Sequence, residues 1–184
     1  MYDLKHIVNR KSEIVNEMTL HELNILSKEE LKQTLFKCCG SDNWVEKMLT
    51  IFPVDDLVEL LEDADEKWWQ CSEEDWLQAF THHPKIGDIE SLQKKFASTA
   101  QWAAGEQSVA ALASYEVLEK LAKGNDDYEK KFGFIFIVCA TGKSAEEMLQ
   151  LLNARLPNSR KDEIQNAADE QSKITKLRIE KLLA

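Results

Sequence analysis

The chain has 184 residues, of which 43% are apolar and 30% are charged. This balance is typical of one globular domain with a single core, and it excludes a disordered chain. The formal net charge of −10 disfavours nucleic acid as a partner, because contacts to phosphates need a basic surface. No apolar run approaches the ~20 residues that a membrane span requires, so a membrane partner is not expected either.

The four cysteines are predicted to be free thiols. Cys38 and Cys39 are adjacent, and no pair among the four has the spacing of a zinc finger. Residues 1–17 are polar and charged and lack the apolar centre of a signal peptide. A cytoplasmic location with reduced, mostly buried thiols is therefore expected.

Helix signals follow one another along the chain, separated by few glycines and prolines. Ser27 and Glu30 have the spacing of a capping box that opens one helix. Ser72 is placed to cap a short helix, and Ser144 with Glu147 repeats the capping-box pattern. These signals predict helices wherever the chain also carries apolar residues at helical spacing.

The second half of the chain is predicted to contain three further helices. Residues 99–121 have helix-forming composition, and residues 123–126 are expected to stop that helix, because glycine commonly ends helices. A new helix is expected to begin at Asn125 or Asp126. The last helix is expected over about residues 161–182.

The segment from Phe134 to Val138 has the aromatic and β-branched residues of a strand. No second run of this kind is present to pair with it, and a lone strand would leave its backbone polar groups unsatisfied. The segment is therefore interpreted as a buried helix end or an irregular core segment. A helix break near Gly133 would free backbone groups to face a ligand cavity. The predicted fold class is all-α, a single compact domain of about eight or nine helices.

The run from His83 to Asp88, His-Pro-Lys-Ile-Gly-Asp, is the first candidate for chemistry. Histidine has an unperturbed pKa near neutrality, and the following proline holds it on a stiff, non-helical backbone. Such an imidazole suits proton transfer to a small polar substrate, although a His-Pro pair can equally be only a turn. The neighbouring His82 is expected to cap the preceding helix, where a positive charge is favoured.

Glu106 and Gln107 form an acid–amide pair. Trp102 and Ala110 lie on the same helical face as Glu106, one turn before it and one turn after it. A carboxylate in an apolar stripe is costly to bury without a partner or a task, but a solvated glutamate at the edge of the stripe fits the pattern equally well. Gln107 offers both a donor and an acceptor to a ureido or imide group.

Arg178 lies beside the apolar side of the last helix, one turn from both Ile174 and Leu182. Its guanidinium is suited to clamp a carboxylate at the rim of a pocket. The alternative is an arginine whose stem packs while its head stays in water. Arg155 is a weaker candidate, because a positive charge is expected at a helix end in any case. No metal-binding or phosphate-binding motif is present, so cofactor-free chemistry is expected.

Four segments of the chain are specific when they are taken together, in this order and at this spacing. They are Ala79 to Gly87, Gly105 to Ser108, Tyr128 to Ala140 and Glu170 to Arg178. On these segments the chain resembles the 2-oxo-4-hydroxy-4-carboxy-5-ureidoimidazoline (OHCU) decarboxylase family, which completes the route from urate to (S)-allantoin. The resemblance predicts an OHCU decarboxylase-like helical domain over residues 18–184, with residues 1–17 as an N-terminal extension or extra helix.

The resemblance implies a cofactor-independent decarboxylase that protonates its product on one face and is usually a homodimer. It implies that His83 and Glu106 are the catalytic residues. The implied substrate contacts are Pro84, Ala103, Gln107, Phe136, Ile137, Val138, Cys139, Ala140 and Arg178. The family pattern has serine where this chain has Ala103, so one hydroxyl contact is absent.

Two other functions fit the same residues. A non-catalytic helical module would bind a basic partner through its acidic face, and it predicts that His83 and Glu106 lie far apart. A cofactor-free hydrolase of a related ureide would use His83 as a base on water. The sequence also leaves open whether an upstream hydroxyisourate hydrolase binds this protein and passes on its unstable product.

Overall fold

The computed structural model describes residues 18–84, Leu92 and residues 109–183, and this part of the chain contains eight helices and no strand. The helices are α1 (Leu20–Asn24), α2 (Lys28–Cys39), α3 (Asp42–Met48), α4 (Leu57–Trp69), α5 (Glu73–Thr81), α6 (Val109–Phe132), α7 (Ala145–Arg155) and α8 (Arg160–Leu182). The predicted all-α class is confirmed. None of these helices is long and apolar enough to cross a membrane.

Side chains at the starts of the helices accept hydrogen bonds from the backbone N–H groups that have no partner within the helix. Ser27 Oγ accepts from the Glu30 amide at 3.3 Å, and Ser144 Oγ accepts from the Glu147 amide at 3.2 Å. Each glutamate in turn accepts from the backbone N–H of its serine. Both predicted capping boxes are therefore confirmed, as is the cap of α5 by Ser72.

Helix α8 is the central element of the core and packs against α2, α4, α5 and α6. Its buried stripe has helical spacing and consists of Ile164, Ala167, Ala168, Gln171, Ser172, Thr175 and Ile179. The small side chains let α4 approach closely, so that the Trp68 indole N–H donates to the Ala168 carbonyl at 2.8 Å. Two polar residues of α8, Glu163 and Gln171, are completely buried, and they organise the polar regions described below.

The predicted helix break at residues 123–126 is wrong, because α6 continues through it without interruption. Gly124 lies where α6 meets α7, and a Cβ built on it would stand 2.4 Å from Leu152 Cδ2. The glycine therefore permits close packing of two helices and does not end one. The Asn125 side chain donates to the Leu121 carbonyl of the same helix at 2.9 Å, and no new helix begins there.

Helix α6 ends at Gly133, whose φ of +80° lies in the left-handed region that glycine adopts most readily. The chain then runs through residues 134–140 without helix or strand pairing, which confirms the predicted irregular core segment. The ring of Tyr128 anchors it, with ring centroids 5.9 Å from Phe134 and 5.1 Å from Phe136. These aromatic contacts hold a segment that is neither helix nor strand in the interior.

Candidate active site

His83 lies just beyond the end of α5 and is half-buried against α8. Its ring Nε2 lies 2.5 Å from Oε1 of Gln171, whose side chain is completely buried. The adjacent His82 is the C-cap residue of α5, as predicted, and its ring packs edge-on against Phe36 with centroids 5.0 Å apart. Pro84 is exposed. Of the two neighbouring histidines, His83 is thus the one that contacts the central helix.

The end of α2 supports the backbone that carries both histidines. Gly40 ends α2 with a φ of +84°, and a Cβ built on it would lie 2.9 Å from His82 Cβ. The left-handed backbone and the close approach both favour glycine at this position. The turn that holds His83 therefore packs directly against the end of α2.

The surroundings of His83 favour its neutral form. Burial lowers the pKa of His83 below its ordinary value of 6.5, because the imidazolium would lose contact with water. The positive charge of Arg178 lowers this pKa further, the hydrogen bond with Gln171 raises it, and His82 adds a small lowering effect. At pH 7 the ring is therefore mainly neutral and able to accept a proton.

Arg178 lies two turns after Gln171 on α8 and is half-buried. Its Nη1 donates to the Cys38 carbonyl at 3.0 Å, in the last turn of α2, where a cation is favoured. A guanidinium carries five N–H donors, and this contact uses one of them. The structure thus brings His83 and Arg178, two of the predicted site residues, into the same region.

The cysteines near this region are thiols rather than thiolates. Burial raises the pKa of Cys38 to about 11 and that of Cys39 to about 12. All four cysteines are free, with Cys139 half-buried and the other three buried, as the sequence predicts. Cys38 and Cys39 contribute to this region through their backbone carbonyls, which accept from Arg178 and Gln171.

Residues 136–140, the predicted backbone contacts of the substrate, are fixed by charged side chains. The Cys139 amide donates to Glu170 Oε2 at 2.7 Å. Arg155 Nη1 donates to the Ile137 carbonyl at 2.7 Å. The first two residues of the segment are buried and the last three are half-buried. The Cys139 and Ala140 carbonyls also accept, from Lys143 Nζ at 2.6 Å and from the Lys143 amide at 3.1 Å, so a ligand contact would fall to the remaining backbone groups of the segment.

A buried polar network lies behind this segment. The Glu163 carboxylate accepts from the Tyr128 hydroxyl, from Arg155 Nε at 2.6 Å and from Asn158 Nδ2 at 2.7 Å. Burial raises the pKa of Tyr128, so its hydroxyl stays protonated. The Arg155 guanidinium also lies 4.8 Å from the centroid of the Phe136 ring. Arg155 is at a helix end, as the sequence indicates, but its partner is a completely buried carboxylate.

Glu163, Glu170 and Gln171 were not predicted from the sequence as functional residues. A usable signal was present, since Glu163 and Gln171 are polar residues beside or within the apolar stripe of α8. As for Glu106, a polar side chain in an apolar stripe is costly to bury without a partner or a task, and this marks Glu163 and Gln171. Ala103, Glu106 and Gln107 lie outside the described residues, so the pairing of His83 with Glu106 stays a prediction. In the described ranges, no group of three or more His, Cys, Asp or Glu side chains is arranged to hold a metal ion.

Comparison with known proteins points to a single family. The family model for OHCU decarboxylase matches residues 24–180. The uric acid degradation bifunctional protein TTL of Arabidopsis thaliana is 42% identical over 151 residues, which are 80% of this chain but only 45% of the plant protein. The 2-oxo-4-hydroxy-4-carboxy-5-ureidoimidazoline decarboxylase of Haloferax volcanii is 25% identical over 166 residues, which are 90% of this chain and 96% of that protein.

Two solved structures have a similar fold. A crystal structure of OHCU decarboxylase in the presence of (S)-allantoin is 36% identical with a TM-score of 0.66, and the match covers 86% of this chain and 99% of that chain. A crystal structure of (S)-allantoin synthase is 16% identical with a TM-score of 0.65, over 91% of this chain and 54% of that chain. At 16% identity the second match shows the fold alone.

Proposed function

The chain belongs to the OHCU decarboxylase family, and from this premise we propose that it decarboxylates OHCU to (S)-allantoin with His83 as the proton donor. The observation that carries the proposal is the position of His83. Its ring is half-buried, contacts the Gln171 side chain through Nε2, and lies close enough to Arg178 for that positive charge to act on it. An imidazole with a cation beside it is suited to a substrate that carries a carboxylate and requires a proton.

The chemistry of the substrate defines what the site must supply. OHCU has a carboxylate and a hydroxyl on one ring carbon, next to the ring carbon that bears the ureido group and belongs to a C=N bond. When the carbon–carboxylate bond breaks, CO₂ leaves and the electron pair forms a C=C bond to that neighbour, whose ring nitrogen takes up the charge and a proton. A proton must then reach the ureido-bearing carbon from one side, since only one enantiomer is made, while the hydroxyl loses its proton and becomes the new carbonyl. The protein therefore needs an anion-binding group and a proton donor held on one face.

His83 and Arg178 are assigned these two tasks. In the free protein the pKa of His83 is lowered, so the ring is mostly neutral. A bound carboxylate favours the imidazolium and opposes the effect of Arg178, so the ring gains its proton as the substrate binds. Arg178 binds an anionic or carbonyl oxygen through its remaining donors. Glu106 and Gln107 are proposed to hold the ureido and ring N–H groups, and backbone groups of residues 136–140 to face the developing oxyanion.

The test is turnover of freshly generated substrate, followed by CO₂ release and by optical rotation. We expect both signals from the wild-type protein and a rate at least ~100-fold lower from His83→Asn with an unchanged circular dichroism spectrum. His82→Asn is the matched control, since it alters the neighbouring exposed ring, and its rate should stay near the wild-type rate.

Each alternative gives a different result in this assay. A hydrolase of a related ureide would release no CO₂, and a non-catalytic module would change neither signal. A folded His83→Asn protein with full stereoselective turnover would refute the role of His83 even if the family reaction occurs. Turnover by the wild type therefore tests the reaction, and turnover by His83→Asn tests the role of His83 in it.

We also propose a homodimer in the cytoplasm, built from the domain of residues 18–184, and an association with a hydroxyisourate hydrolase. The association is supported by the bifunctional urate-degradation proteins among the relatives of this chain. Light scattering on the purified protein tests the dimer. Co-elution with an added hydroxyisourate hydrolase tests the association, and separate elution at micromolar concentrations would count against it.

A further inference from the structure

The Gln171 side chain is completely buried next to His83, and its orientation is fixed by other contacts. Its Nε2 donates to Thr175 Oγ1 at 3.1 Å and, more weakly, to the Cys39 carbonyl at 3.5 Å. A carbonyl oxygen can only accept, so the amide nitrogen must be the atom that faces Cys39. The amide oxygen is thereby directed to His83, at 2.5 Å from its Nε2.

We propose that Gln171 is a positioning residue that holds His83 in the tautomer with hydrogen on Nε2 and leaves Nδ1 for the substrate. Since Oε1 of Gln171 only accepts, the ring nitrogen that faces it must carry the hydrogen. In the neutral ring Nδ1 is then the acceptor. In the imidazolium, Nδ1–H is the proton that moves to the substrate carbon. This inference rests on the proposed function, in which His83 is the proton donor.

The opposite orientation of the amide is unfavourable for a specific reason. It would place Oε1 against the Cys39 carbonyl, so that two buried acceptors would face each other without a hydrogen between them. Thr175 is one turn further along the same helix, and Cys39 is at the end of α2, next to the glycine on which His82 rests. Both partners are therefore rigid parts of the core, and they keep the orientation that His83 requires.

Gln171 also keeps this contact free of net charge. Among the residues that the structure describes, the charged or titratable groups that act on His83 are Arg178 on α8 and His82 beside it. A carboxylate at position 171 would still accept from Nε2–H, but it would favour the imidazolium through its charge. An apolar side chain would remove the acceptor altogether. Gln171→Glu and Gln171→Met therefore separate the hydrogen bond from the charge.

The experiment reads the ring nitrogens directly in the full chain labelled with ¹⁵N-histidine, with His83→Asn used to assign the signals. In long-range ¹H–¹⁵N spectra near pH 8, we expect His83 in the wild type to show a protonated Nε2 and a bare Nδ1. Gln171→Met should give averaged shifts from a mixture of tautomers. Its kcat should fall about tenfold with KM nearly unchanged, because the proton donor is misplaced while substrate binding remains.

Gln171→Glu is the second variant, and it decides the outcome if Gln171→Met does not fold. It should keep hydrogen on Nε2 and move the alkaline limb of the pH–rate profile, where the imidazolium is lost, to higher pH. Wild-type tautomer shifts and wild-type kcat in Gln171→Met, or a bare Nε2 in Gln171→Glu, would overturn this inference. The spectra are recorded without substrate, so a wild-type protein that fails to release CO₂ would count against the proposed function alone.

Discussion

The two completely buried polar residues of helix α8 belong to very different surroundings. Glu163 accepts hydrogen bonds from Tyr128, Arg155 and Asn158, so its charge is satisfied inside the protein. Gln171, eight residues and about 12 Å further along the helix, contacts His83, which is only half-buried. The described part of the chain engages one ring nitrogen of His83 and leaves the other to residues outside it or to a ligand.

The two regions have different roles: the Glu163 network stabilises the fold, and the His83 region is where we place the reaction. In the Glu163 network every charge is paired, and the network holds the backbone of residues 136–140 through Arg155. A charged group whose hydrogen bonds and counter-charge all come from the protein is poorly placed to bind a substrate. The His83 region keeps a neutral imidazole and a guanidinium that makes one hydrogen bond to the described part of the chain, and both can respond to a bound anion. The predictions below test this division of roles.

The largest effect is expected from breaking the Glu163 network. Arg155→Met leaves the Glu163 carboxylate without its cation. The Glu163 side chain is 0% exposed, and the Arg155 side chain is 12% exposed. Removing one partner of a buried ion pair costs about 3–5 kcal/mol, so the free energy of unfolding should fall by about that amount. Urea denaturation followed by circular dichroism at 222 nm, a wavelength chosen for its helical signal, measures the loss.

Arg160→Met is the matched control for this prediction. It makes the same replacement in the ion pair with Glu73, in which the two side chains are 48% and 43% exposed. Solvent screens such a pair, so we expect a loss of no more than about 1 kcal/mol. Equal losses in the two variants would show that the burial of Glu163 does not distinguish its network from a surface pair.

A smaller effect, on function alone, is expected from Arg178→Lys. Lysine keeps the charge but loses the planar fork that binds a carboxylate through two hydrogen bonds. We expect KM to rise about tenfold, with little change in the unfolding midpoint. Lys176→Arg, on the same helix and paired with Asp65, is the control and should leave KM unchanged. If KM and kcat are unchanged in Arg178→Lys, then Arg178 serves mainly to cap the Cys38 carbonyl.

The parts of this molecule that could be predicted are those with local causes. The capping boxes at Ser27 and Ser144 depend on residues three positions apart, and both were predicted correctly. The family was also identified correctly, because its motifs are contiguous. Gly124 was misjudged because its role depends on Leu152 of another helix. The contact of Gln171 with His83 was not predicted because the two residues are 88 positions apart in the sequence.

The smallest effect is on the pH dependence of stability, and it tests whether His83 is neutral in the folded protein. Above about pH 6.5 the ring is neutral in both the folded and the unfolded chain, so it adds no pH dependence. Below that value the unfolded chain binds a proton that the folded chain, with its lowered pKa, still excludes. The folded state should therefore lose stability as the pH falls from about 6.5 toward the folded-state pKa, by at most ~1.4 kcal/mol per pH unit.

Asp65 and Asp75 do not interfere in the upper part of this window. The pKa values of Asp65 and Asp75 are lowered from 3.8, so the stability that they contribute is lost only at more acidic pH. Urea midpoints between pH 7.5 and 5.5 measure the effect, and His83→Asn should flatten the curve in this range. An equally steep curve in His83→Asn would mean that another group binds the proton. In that case the contrast between a satisfied Glu163 network and a proton-responsive His83 region would not hold.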